Sequence, residues 1–365
     1  MAERGATPQV SASRRRALRA VRSLFSPLLP DDYLELINPL WSTRELRGRI
    51  ERIDKETANT VTVLIRPGYE WMGHSPGQYL RIGVVIDGVH HWRAYSLTSE
   101  PGRPDGCISI TPKLVDSGKV SPYLVRQARS GDIVRLGGVE GTFVLPQPAP
   151  RELLFISAGS GITPIMSMLG SIHRDDAVHD VVHIHSARSA DDVIFAKRLR
   201  EIDAARTGYR LKLRITGEQG RISPGDLDEL CPDWRQRHAF ISGPAEMLDA
   251  MSGHWQREGK TELLSMERFQ PVIGGTPGDG EGGSVRFAKS RVEAKCAAGT
   301  PILVGGEEAG AVLPFGCRMG ICHTCVGKLC SGEVRDLRTG EVHGSEGEMV
   351  RTCVNAPEGP IEIAL

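Results

Sequence analysis

Hydrophobic and polar residues follow two different periods along this chain. Residues 41–148 contain short β-like runs, such as Thr60–Ile65 and Tyr79–Ile86, broken by glycine and proline turns. This pattern predicts an antiparallel barrel. Residues 149–273 alternate apolar runs with helical stretches, which predicts βαβ units around a parallel sheet. The apolar runs are Leu153–Ser157, Val181–His185, Leu211–Ile215 and His238–Ile241.

A glycine-rich passage at residues 274–283 carries no core residues and predicts a flexible linker. It separates residues 284–365 from everything before them. We therefore expect an N-terminal extension (1–40), a barrel domain (41–148), an α/β domain (149–273), the linker and a C-terminal module. A length of 365 residues fits such a division.

Composition narrows the class of protein. Hydrophobic residues make up 40% of the chain, charged residues 25%, and the formal net charge is +0; these values are typical of globular proteins. The balanced charge argues against nucleic-acid binding. No apolar run approaches the roughly 20 residues that a membrane-spanning helix needs. Eight cysteines without a secretion signal favour the reducing cytoplasm, and we expect a monomer there.

The N-terminal extension departs from this balance of charge. Five arginines, at positions 14, 15, 16, 19 and 22, alternate with apolar residues up to Phe25. The stretch suits either a solvated tail or a short amphipathic helix that contacts the anionic face of a membrane peripherally. The sequence leaves both alternatives open.

Four cysteines near the C-terminus follow the pattern C-x4-C-x2-C with one further cysteine at a distance. They are Cys317, Cys322, Cys325 and Cys353. This spacing is typical of ligands to a plant-type [2Fe–2S] cluster. The alternative is structural Zn, but Zn sites usually use two short cysteine pairs. We predict an iron–sulfur cluster and expect the remaining cysteines to be ordinary thiols.

The first apolar run of the α/β segment leads into a glycine-rich turn, Gly159-Ser-Gly-Ile-Thr-Pro164. Gly159 and Gly161 let the backbone approach a pyrophosphate, Thr163 suits a helix cap and Pro164 suits the first helical turn. The third glycine of the ordinary dinucleotide fingerprint is absent. A second small-residue turn, Ser242-Gly-Pro244, ends the last apolar run and is expected at the nicotinamide end of the same sheet edge.

The residue after the second apolar run bears on which nicotinamide nucleotide is used. Arg188 stands where a cation accommodates the 2′-phosphate of NADPH. Asp191 and Asp192 are candidate ribose ligands for NADH, although Ser189 and Asp192 also match a helix capping box. We expect NADPH, with NADH as the alternative.

Two motifs in the barrel segment suit a flavin. Arg93, Tyr95 and Ser96 form the pattern R-x-Y-S, which places a cation, a ring and a hydroxyl close together. On a strand, Arg93 and Tyr95 share one face and Ser96 lies on the other. Downstream, residues 118–121 read G-K-V-S and join a glycine turn to a hydroxyl near a helix start.

The motifs R-x-Y-S, G-x-V-S, G-S-G-I-T-P and S-G-P and the four-cysteine module occur in the same order as in a known family. The chain closely resembles ferredoxin–NADP reductase-like flavoproteins fused to a C-terminal plant-type ferredoxin, over nearly everything after about residue 41. The resemblance implies three domains: an antiparallel β-barrel that binds FAD, an α/β domain with a parallel sheet that binds NADPH, and a β-grasp ferredoxin with the [2Fe–2S] cluster. Some relatives use FMN, so FMN stays open.

The resemblance also implies roles for single residues. Tyr95 is similar to the residue that stacks on the flavin ring and Ser96 to the one that reaches flavin N5. Many relatives have cysteine where Ser242 stands. The remaining implied contacts are Arg93, Gly118, Lys119, Val120 and Ser121 for the FAD phosphates, Gly159, Gly161, Thr163, Pro164 and Arg188 for NADPH, Ser242, Gly243 and Pro244 for the nicotinamide, and Cys317, Cys322, Cys325 and Cys353 for iron.

The resemblance implies an enzyme that receives a hydride from NADPH and releases single electrons to a separate acceptor protein. No side chain is expected to act as a general acid or base. From Asp31 onward the chain is similar to actinobacterial reductases that serve membrane-bound Δ9 acyl (stearoyl) desaturases, which is our first expectation. The alternatives are the reductase of a soluble aromatic, steroid or acyl-CoA oxygenase and, from another class, a redox-sensing iron–sulfur binding protein.

Overall fold

The structure is a computed structural model of the chain. It describes residues 35, 37–116, 118–174, 180–269, 280–311, 313–315, 320, 323 and 325–365. The arginine-rich segment at residues 14–22 and residues 274–279 of the predicted linker lie outside the described residues. Two compact units make up the chain, one with the first two sheets below and one formed chiefly by residues from 269 onward. Within the described part, no helix is long and apolar enough to cross a membrane.

The first sheet is antiparallel. Its strands are β1 (Arg47–Thr57), β2 (Thr60–Pro67), β3 (Tyr79–Ile86), β4 (Val89–Ser96), β5 (Ile108–Ile110) and β6 (Ile133–Glu140). They lie in the order β4-β3-β6-β1-β2-β5. A bridge from Leu97, directly after β4, to Ile110 of β5 joins the two ends of that order. The predicted antiparallel barrel is therefore confirmed.

The barrel closes around side chains that alternate along its strands. Ile50, Val63, Ile65, Leu80 and Ile82 are fully buried in one cluster, as the two-residue period of a strand requires. A short helix, α1 (Val120–Arg126), adds two further buried side chains to this cluster. Burial of these apolar side chains is the main stabilising contribution to this part of the fold.

The second sheet is parallel throughout. Its strands are β7 (Glu152–Ala158), β8 (Asp180–Ala187), β9 (Tyr209–Ile215), β10 (His238–Ser242) and β11 (Leu264–Glu267), in the order β11-β10-β7-β8-β9. The connecting helices are α2 (Ile162–Arg174), α3 (Ala196–Ala205), α4 (Thr216–Gln219), α5 (Leu227–Leu230) and α6 (Ala245–Arg257). The four predicted apolar runs all fall on strands, and β11 is a strand that the sequence reading missed.

Alternate residues of the central strand β7 supply the cores on the two faces of this sheet. Leu153 and Phe155 pack in a cluster that includes residues of α2 and α3, whereas Leu154 and Ile156 pack in a cluster that includes residues of α6. A strand covered on both faces carries a continuous apolar run. Burial on both faces therefore accounts for the uninterrupted apolar character of Leu153–Ser157.

The C-terminal unit contains the third sheet. Its strands are β12 (Gly283–Phe287), β13 (Val292–Cys296), β14 (Val326–Asp336), β15 (Val342–His343), β16 (Met349–Arg351) and β17 (Asn355–Ile363), with one helix, α7 (Ile302–Glu308). The order is β13-β12-β17-β14-β15, and β16 pairs with β14. β12 pairs with β17 in parallel and with β13 antiparallel, as expected for the β-grasp fold.

The third sheet begins earlier than the predicted linker allows. Gly283 is the first residue of β12, and the Gly282 carbonyl accepts a hydrogen bond from the Gly359 N–H at 2.8 Å. A Cβ on Gly283 would lie 1.8 Å from the Gly359 carbonyl oxygen. These glycines serve a close approach of two backbones rather than a linker. The other domain boundaries stay predictions.

A buried hydrogen bond joins the barrel to the α/β domain. Ser167, fully buried on α2, donates from its hydroxyl to the Ser99 carbonyl at 2.6 Å. The same carbonyl also lies 3.0 Å from His74 Nε2, so removing the Ser167 hydroxyl takes away one of its two hydrogen bonds, which typically costs about 1 kcal/mol.

Ser167→Ala is therefore expected to lower the temperature at which bound flavin is released on heating by about 3 °C. Flavin fluorescence during a thermal ramp measures this change. Ser171→Ala, a partly exposed serine on the same helix, is the matched control and should leave the temperature unchanged. Equal shifts in both variants would mean that the Ser99–Ser167 bond contributes nothing.

Candidate functional site

The glycine-rich turn joins β7 to α2 through a tight 3-10 turn at Gly159–Gly161. Gly159 has a positive φ of 54°, and a Cβ placed on it would meet no atom within 4 Å. A Cβ on Gly161 would lie 2.0 Å from the Ser242 carbonyl oxygen. Gly159 is therefore needed for its backbone conformation, and Gly161 for the contact between the ends of β7 and β10.

Thr163 differs from its expected role in this turn. Helix α2 begins at Ile162, so Thr163 already lies inside it. Its hydroxyl donates to the Ser160 carbonyl at 2.9 Å instead of accepting from a helix N–H. The 3-10 turn at Gly159–Gly161 leads directly into α2, so the helix already begins at Ile162. Thr163 is therefore inside the helix and not at the cap position before it. Pro164 lies in the first turn of α2, as the sequence predicted.

A second turn, at the end of β10, lies next to the glycine-rich turn. Ser242 ends β10 and is paired in register with Ser157 of β7. Pro244 directly precedes α6. The Ser242 hydroxyl is buried and has no hydrogen-bond partner among the described residues. The three predicted residues of this turn, with Gly243 between the other two, therefore lie at the carboxyl edge of the parallel sheet beside Gly161.

A buried carboxyl lies at the same edge of the sheet. Glu267 ends β11 and is paired in register with Ser242. Its side chain hydrogen-bonds with Ser96 of the barrel, and burial raises the pKa of its carboxyl to about 8 although the Ser96 bond acts in the opposite direction. Its Oε2 atom has no partner in the described part of the chain. Glu267 therefore holds a proton at neutral pH, one hydrogen bond from Ser96.

Sequence reasoning missed Glu267, whose buried carboxyl has a raised pKa. The residues of β11 read Leu-Ser-Met-Glu, a run too short to stand out as a strand. The one available signal is position: an acid at the carboxyl end of a parallel strand lies where ligands bind in open α/β sheets. Recognising β11 as a fifth strand would have found it.

The R-x-Y-S motif forms the end of β4. Ser96 is buried, Tyr95 is partly buried and packs against the barrel core, and Leu97, directly after β4, is fully buried in that core. Arg93 lies two positions before Tyr95 on the same strand and is partly exposed. The predicted alternation thus places Ser96 toward Glu267 and Tyr95 toward the barrel.

The G-K-V-S segment forms the turn before α1. The Gly118 N–H donates to the Val115 carbonyl at 2.9 Å, and the Ser121 hydroxyl accepts from the Val115 N–H at 3.1 Å. Lys119 directly precedes the helix, and Val120 is its first residue and is buried in the barrel core. The segment is therefore a closed turn in which the Ser121 hydroxyl can still donate one hydrogen bond.

Arg188 follows β8 and is exposed, and its carbonyl accepts from the Gly217 N–H at 3.1 Å. The competing acid Asp192 is engaged locally, because the Ser189 hydroxyl donates to its Oδ2 atom at 3.0 Å. Residues 190–192 form a 3-10 turn rather than the start of a capped α-helix. The predicted capping box is therefore not formed, although the Ser189 hydroxyl occupies one carboxylate oxygen of Asp192.

Two of the four predicted iron ligands, Cys317 and Cys322, lie outside the described residues. The other two, Cys325 and Cys353, are both buried. Thr352 holds them together, since its N–H and its hydroxyl both donate to the Cys325 carbonyl, at 3.1 and 2.8 Å. The Gly320 N–H donates to the Cys353 sulfur at 3.2 Å, the kind of bond that tunes a ligating thiolate.

These features fit the three cofactors that the sequence suggests. Ser242 Oγ and Glu267 Oε2 are buried and have no hydrogen-bond partner among the described residues, so a bound flavin or nicotinamide would find unsatisfied polar atoms there. The open space above Gly159 suits a pyrophosphate that approaches the backbone. Buried thiols with an N–H donor suit iron, which thiolates ligate.

Comparison with protein families gives three matches along the chain. Residues 50–145 match an oxidoreductase FAD-binding domain, residues 155–253 an oxidoreductase NAD-binding domain, and residues 285–358 a 2Fe-2S iron-sulfur cluster binding domain. The last match decides for [2Fe–2S] over Zn, and the first two support FAD and an NAD(P)H-dependent oxidoreductase rather than a redox sensor.

Two of the relatives illustrate the likeness over most of the chain. An NADPH oxidoreductase of Mycobacterium tuberculosis is 46% identical over 94% of this chain and 90% of its own length. The ferredoxin reductase component of 3-ketosteroid-9-alpha-monooxygenase from Mycolicibacterium smegmatis is 31% identical over 77% of this chain and 86% of its own length. The name of the first relative agrees with NADPH as the expected electron donor.

Among solved structures, the phthalate dioxygenase reductase is similar with a TM-score of 0.55 and 19% sequence identity. The match covers 87% of this chain and 97% of that one. At this identity the likeness concerns the fold, and it agrees with the barrel, parallel sheet and β-grasp architecture.

Proposed function

This chain belongs to the ferredoxin–NADP reductase-like flavoproteins that carry a C-terminal [2Fe–2S] domain, and we propose that it supplies single electrons from NADPH to a separate acceptor protein. The observation that carries the proposal is the meeting of Ser96, Ser242 and Glu267 at one sheet edge in a chain that also has an iron–sulfur module. FAD held at Arg93, Tyr95, Ser96 and residues 118–121 would supply the conversion of a hydride from NADPH into single electrons, and a [2Fe–2S] cluster on the four cysteines would supply one-electron transfer onward.

The chain's own contribution at this edge is to position groups and to hold a proton. Ser96 and Glu267 share a hydrogen bond, and the raised pKa of Glu267 keeps a proton on that carboxyl at neutral pH. The pair therefore holds a proton where the hydride is exchanged, and it keeps that place free of negative charge. Ser242, on the neighbouring strand, offers a hydroxyl to the nicotinamide side.

The family resemblance supports specific contacts for the bound nucleotides. We assign Tyr95 and Ser96 to the flavin ring, with Arg93 and residues 118–121 at the FAD phosphates. Gly159, Gly161, Thr163 and Pro164 hold the NADPH pyrophosphate, and Gly243 and Pro244 shape the nicotinamide pocket. The iron ligands are Cys317, Cys322, Cys325 and Cys353.

Arg188 gives a direct test of the NADPH assignment. Its loss removes a charge-assisted contact to the 2′-phosphate, worth about 1.5 kcal/mol. Arg188→Ala is therefore expected to raise the KM for NADPH about tenfold, with little change in kcat or in the KM for NADH. Steady-state reduction of ferricyanide with each nucleotide measures both constants.

Lys197→Ala is the matched control, because Lys197 is an exposed cation on the following helix α3. It should change neither KM. If Arg188→Ala raised the KM for NADH as much as that for NADPH, Arg188 would not read the 2′-phosphate.

We propose a membrane-bound Δ9 acyl desaturase as the acceptor. Two features support this choice: the similarity of the chain from Asp31 onward to reductases of such enzymes, and the arginine-rich stretch before it, which suits an anionic membrane surface. The steroid monooxygenase component is 31% identical to this chain, which is less than the 46% of the NADPH oxidoreductase. It supports a soluble oxygenase component as the competing acceptor.

Deletion of the gene tests the acceptor. Cells without the protein are expected to accumulate saturated stearoyl chains and to lose most Δ9-unsaturated lipid, and the wild-type gene but not Cys353→Ser should restore it. Normal levels of Δ9-unsaturated lipid in the deletion strain would rule out a desaturase as the acceptor. Loss of growth on an aromatic or steroid substrate instead would identify an oxygenase acceptor.

A further inference from the structure

The barrel contacts the α/β domain at the start of helix α3. Glu56, near the end of β1, accepts a hydrogen bond from the Phe195 N–H at its Oε2 atom, at 3.2 Å. Phe195 directly precedes α3 as its N-cap residue, and its apolar side chain cannot accept from the N–H groups of the helix. The carboxyl of Glu56 therefore supplies, from another domain, an acceptor at a helix N-terminus, where an acidic group is favourable.

Phe195 has a backbone conformation that residues other than glycine rarely adopt. Its φ is 61°, in the left-handed region. Its side chain is buried in the same core cluster as Val193 and Ile194. A left-handed conformation at a non-glycine residue persists only where the surroundings hold it in place. Here the core holds the ring and Glu56 holds the N–H, so the bond to Glu56 helps to fix the path by which the chain enters α3.

The segment that ends at Phe195 begins at Arg188. The Arg188 carbonyl accepts from the Gly217 N–H at 3.1 Å. Residues 188–191 are exposed, whereas residues 193–195 are buried. The segment is therefore held at one end by the Gly217 bond and at the other by the core and by Glu56. The position of Arg188 depends on both ends.

Glu56 is itself held by hydroxyl groups of the barrel. Thr62 Oγ1 donates to Glu56 Oε1 at 2.7 Å and lies 3.0 Å from Thr111 Oγ1. Thr111 Oγ1 donates to Thr98 Oγ1 at 3.3 Å, and Thr98 follows β4, the strand that ends in R-x-Y-S. A glutamate that is already oriented in this way loses less side-chain entropy when it binds the backbone of the α/β domain.

We propose that Glu56 is a positioning residue for NADPH, which holds residues 188–195 so that Arg188 stays where it meets the 2′-phosphate. The inference rests on Arg188 as the 2′-phosphate contact, which is part of the proposed function. Glu56 acts on the nucleotide through the Phe195 backbone and not by direct contact. Selection of NADPH over NADH is then shared between the α/β domain and the barrel.

Loss of the Glu56 bond should weaken NADPH binding and leave the chemical step unchanged. When residues 188–195 sample several positions, the apparent affinity falls with the fraction of molecules in which Arg188 is in place. We expect a roughly three- to fivefold rise in the KM for NADPH, below the rise of about tenfold expected when Arg188 itself is lost. The kcat and the KM for NADH should stay unchanged, because NADH has no 2′-phosphate.

Three substitutions at Glu56 separate the reach of the side chain from its charge. Glu56→Ala removes the acceptor. Glu56→Asp keeps the acid but is one carbon shorter, so it cannot reach Thr62 and Phe195 together. Both variants should raise the KM for NADPH by roughly three- to fivefold. Glu56→Gln keeps the length, with its carbonyl oxygen toward Phe195 and its NH2 group toward the Thr62 hydroxyl, and should stay within about twofold of the wild type.

The constants are measured by steady-state reduction of ferricyanide with NADPH and with NADH, in the full-length protein with its flavin bound. Asp54→Ala is the matched control, because Asp54 is an acid on the same strand that pairs with Arg52 at 2.8 Å. It should change neither KM. Unchanged constants for NADH show that each variant is folded and holds its flavin.

A double variant decides whether Glu56 acts through Arg188. In the Arg188→Ala background, Glu56→Ala should add no further rise in the KM for NADPH. A rise that adds in full, or an equal rise for NADH, would make Glu56 a general stabilising contact and overturn the inference. Selective loss of NADPH in Arg188→Ala, with unchanged constants in Glu56→Ala and Glu56→Asp, would overturn the role of Glu56 alone. An unchanged KM for NADPH in Arg188→Ala would instead overturn the Arg188 assignment itself.

Discussion

Replacement of Cys353 by serine is expected to stop electron transfer beyond the flavin. Serine is a hard oxygen donor in place of a thiolate, and it would stand in the turn that Thr352 and Arg351 hold in place. We expect reduction of cytochrome c by NADPH to fall by about three orders of magnitude, because the cluster is not assembled. Reduction of ferricyanide, which accepts electrons from the flavin, should stay close to the wild-type rate.

The matched control is Cys330→Ser, the same change at a partly exposed thiol on β14 of the same unit. It should retain the cluster and full cytochrome c reduction. Iron and sulfide content and the EPR spectrum after dithionite report the cluster independently of turnover. If Cys353→Ser kept a normal EPR signal, or if Cys330→Ser lost it, the assignment of the four ligands would be wrong.

The sequence predicted those features whose signal is local. A continuous apolar run such as Leu153–Ser157 marks a strand buried on both faces, and the cysteine spacing marks an iron–sulfur loop, because each depends on a few neighbouring residues. Gly161 was likewise predicted from its local motif. The reason that glycine is needed there, the close approach to the Ser242 carbonyl, depends on the parallel pairing of β7 and β10.

The remaining features depend on residues far apart in the chain. Glu267 is one of many acids in the sequence, and its burial arises only when β11 joins the sheet beside β10 and meets Ser96 of the barrel. Desolvation by that assembly, and not the local sequence, raises its pKa.

Glu267→Gln is expected to lower turnover about a hundredfold, the ordinary contribution of a positioned proton donor. Full reduction of a bound flavin would take up one proton besides the hydride, and the carboxyl would supply that proton through Ser96 and regain one from solvent. The amide keeps the size and the hydrogen bond to Ser96 but carries no acidic proton. We expect a lower kcat with little change in the KM for NADPH, since the change lies at the reacting end of the nucleotide. Stopped-flow reduction of the flavin by NADPH measures the step directly.

The pH dependence should separate a proton role from a packing role. The carboxyl of Glu267 has a pKa of about 8, so wild-type flavin reduction should fall as pH rises through 8, where the carboxyl loses its proton and gains a buried negative charge. Glu267→Gln has no such group and should give a flat profile from pH 7 to 9. A variant with wild-type rates at all pH values would assign Glu267 to packing alone.

The raised pKa of Glu267 also predicts that Glu267→Gln, although slower in turnover, is more stable than the wild type at neutral pH. The folded-state pKa of Glu267 lies above the ordinary value of 4.5, so the stability that the protonated carboxyl contributes is complete below pH 4.5 and is lost progressively as pH rises to about 8. At pH 7 folding must keep a proton that the unfolded chain releases, at a cost of up to about 3 kcal/mol. Glutamine avoids that cost. A rise in melting temperature at pH 7 that vanishes at pH 4, together with lost turnover, would identify Glu267 as a group retained for its proton at the expense of stability.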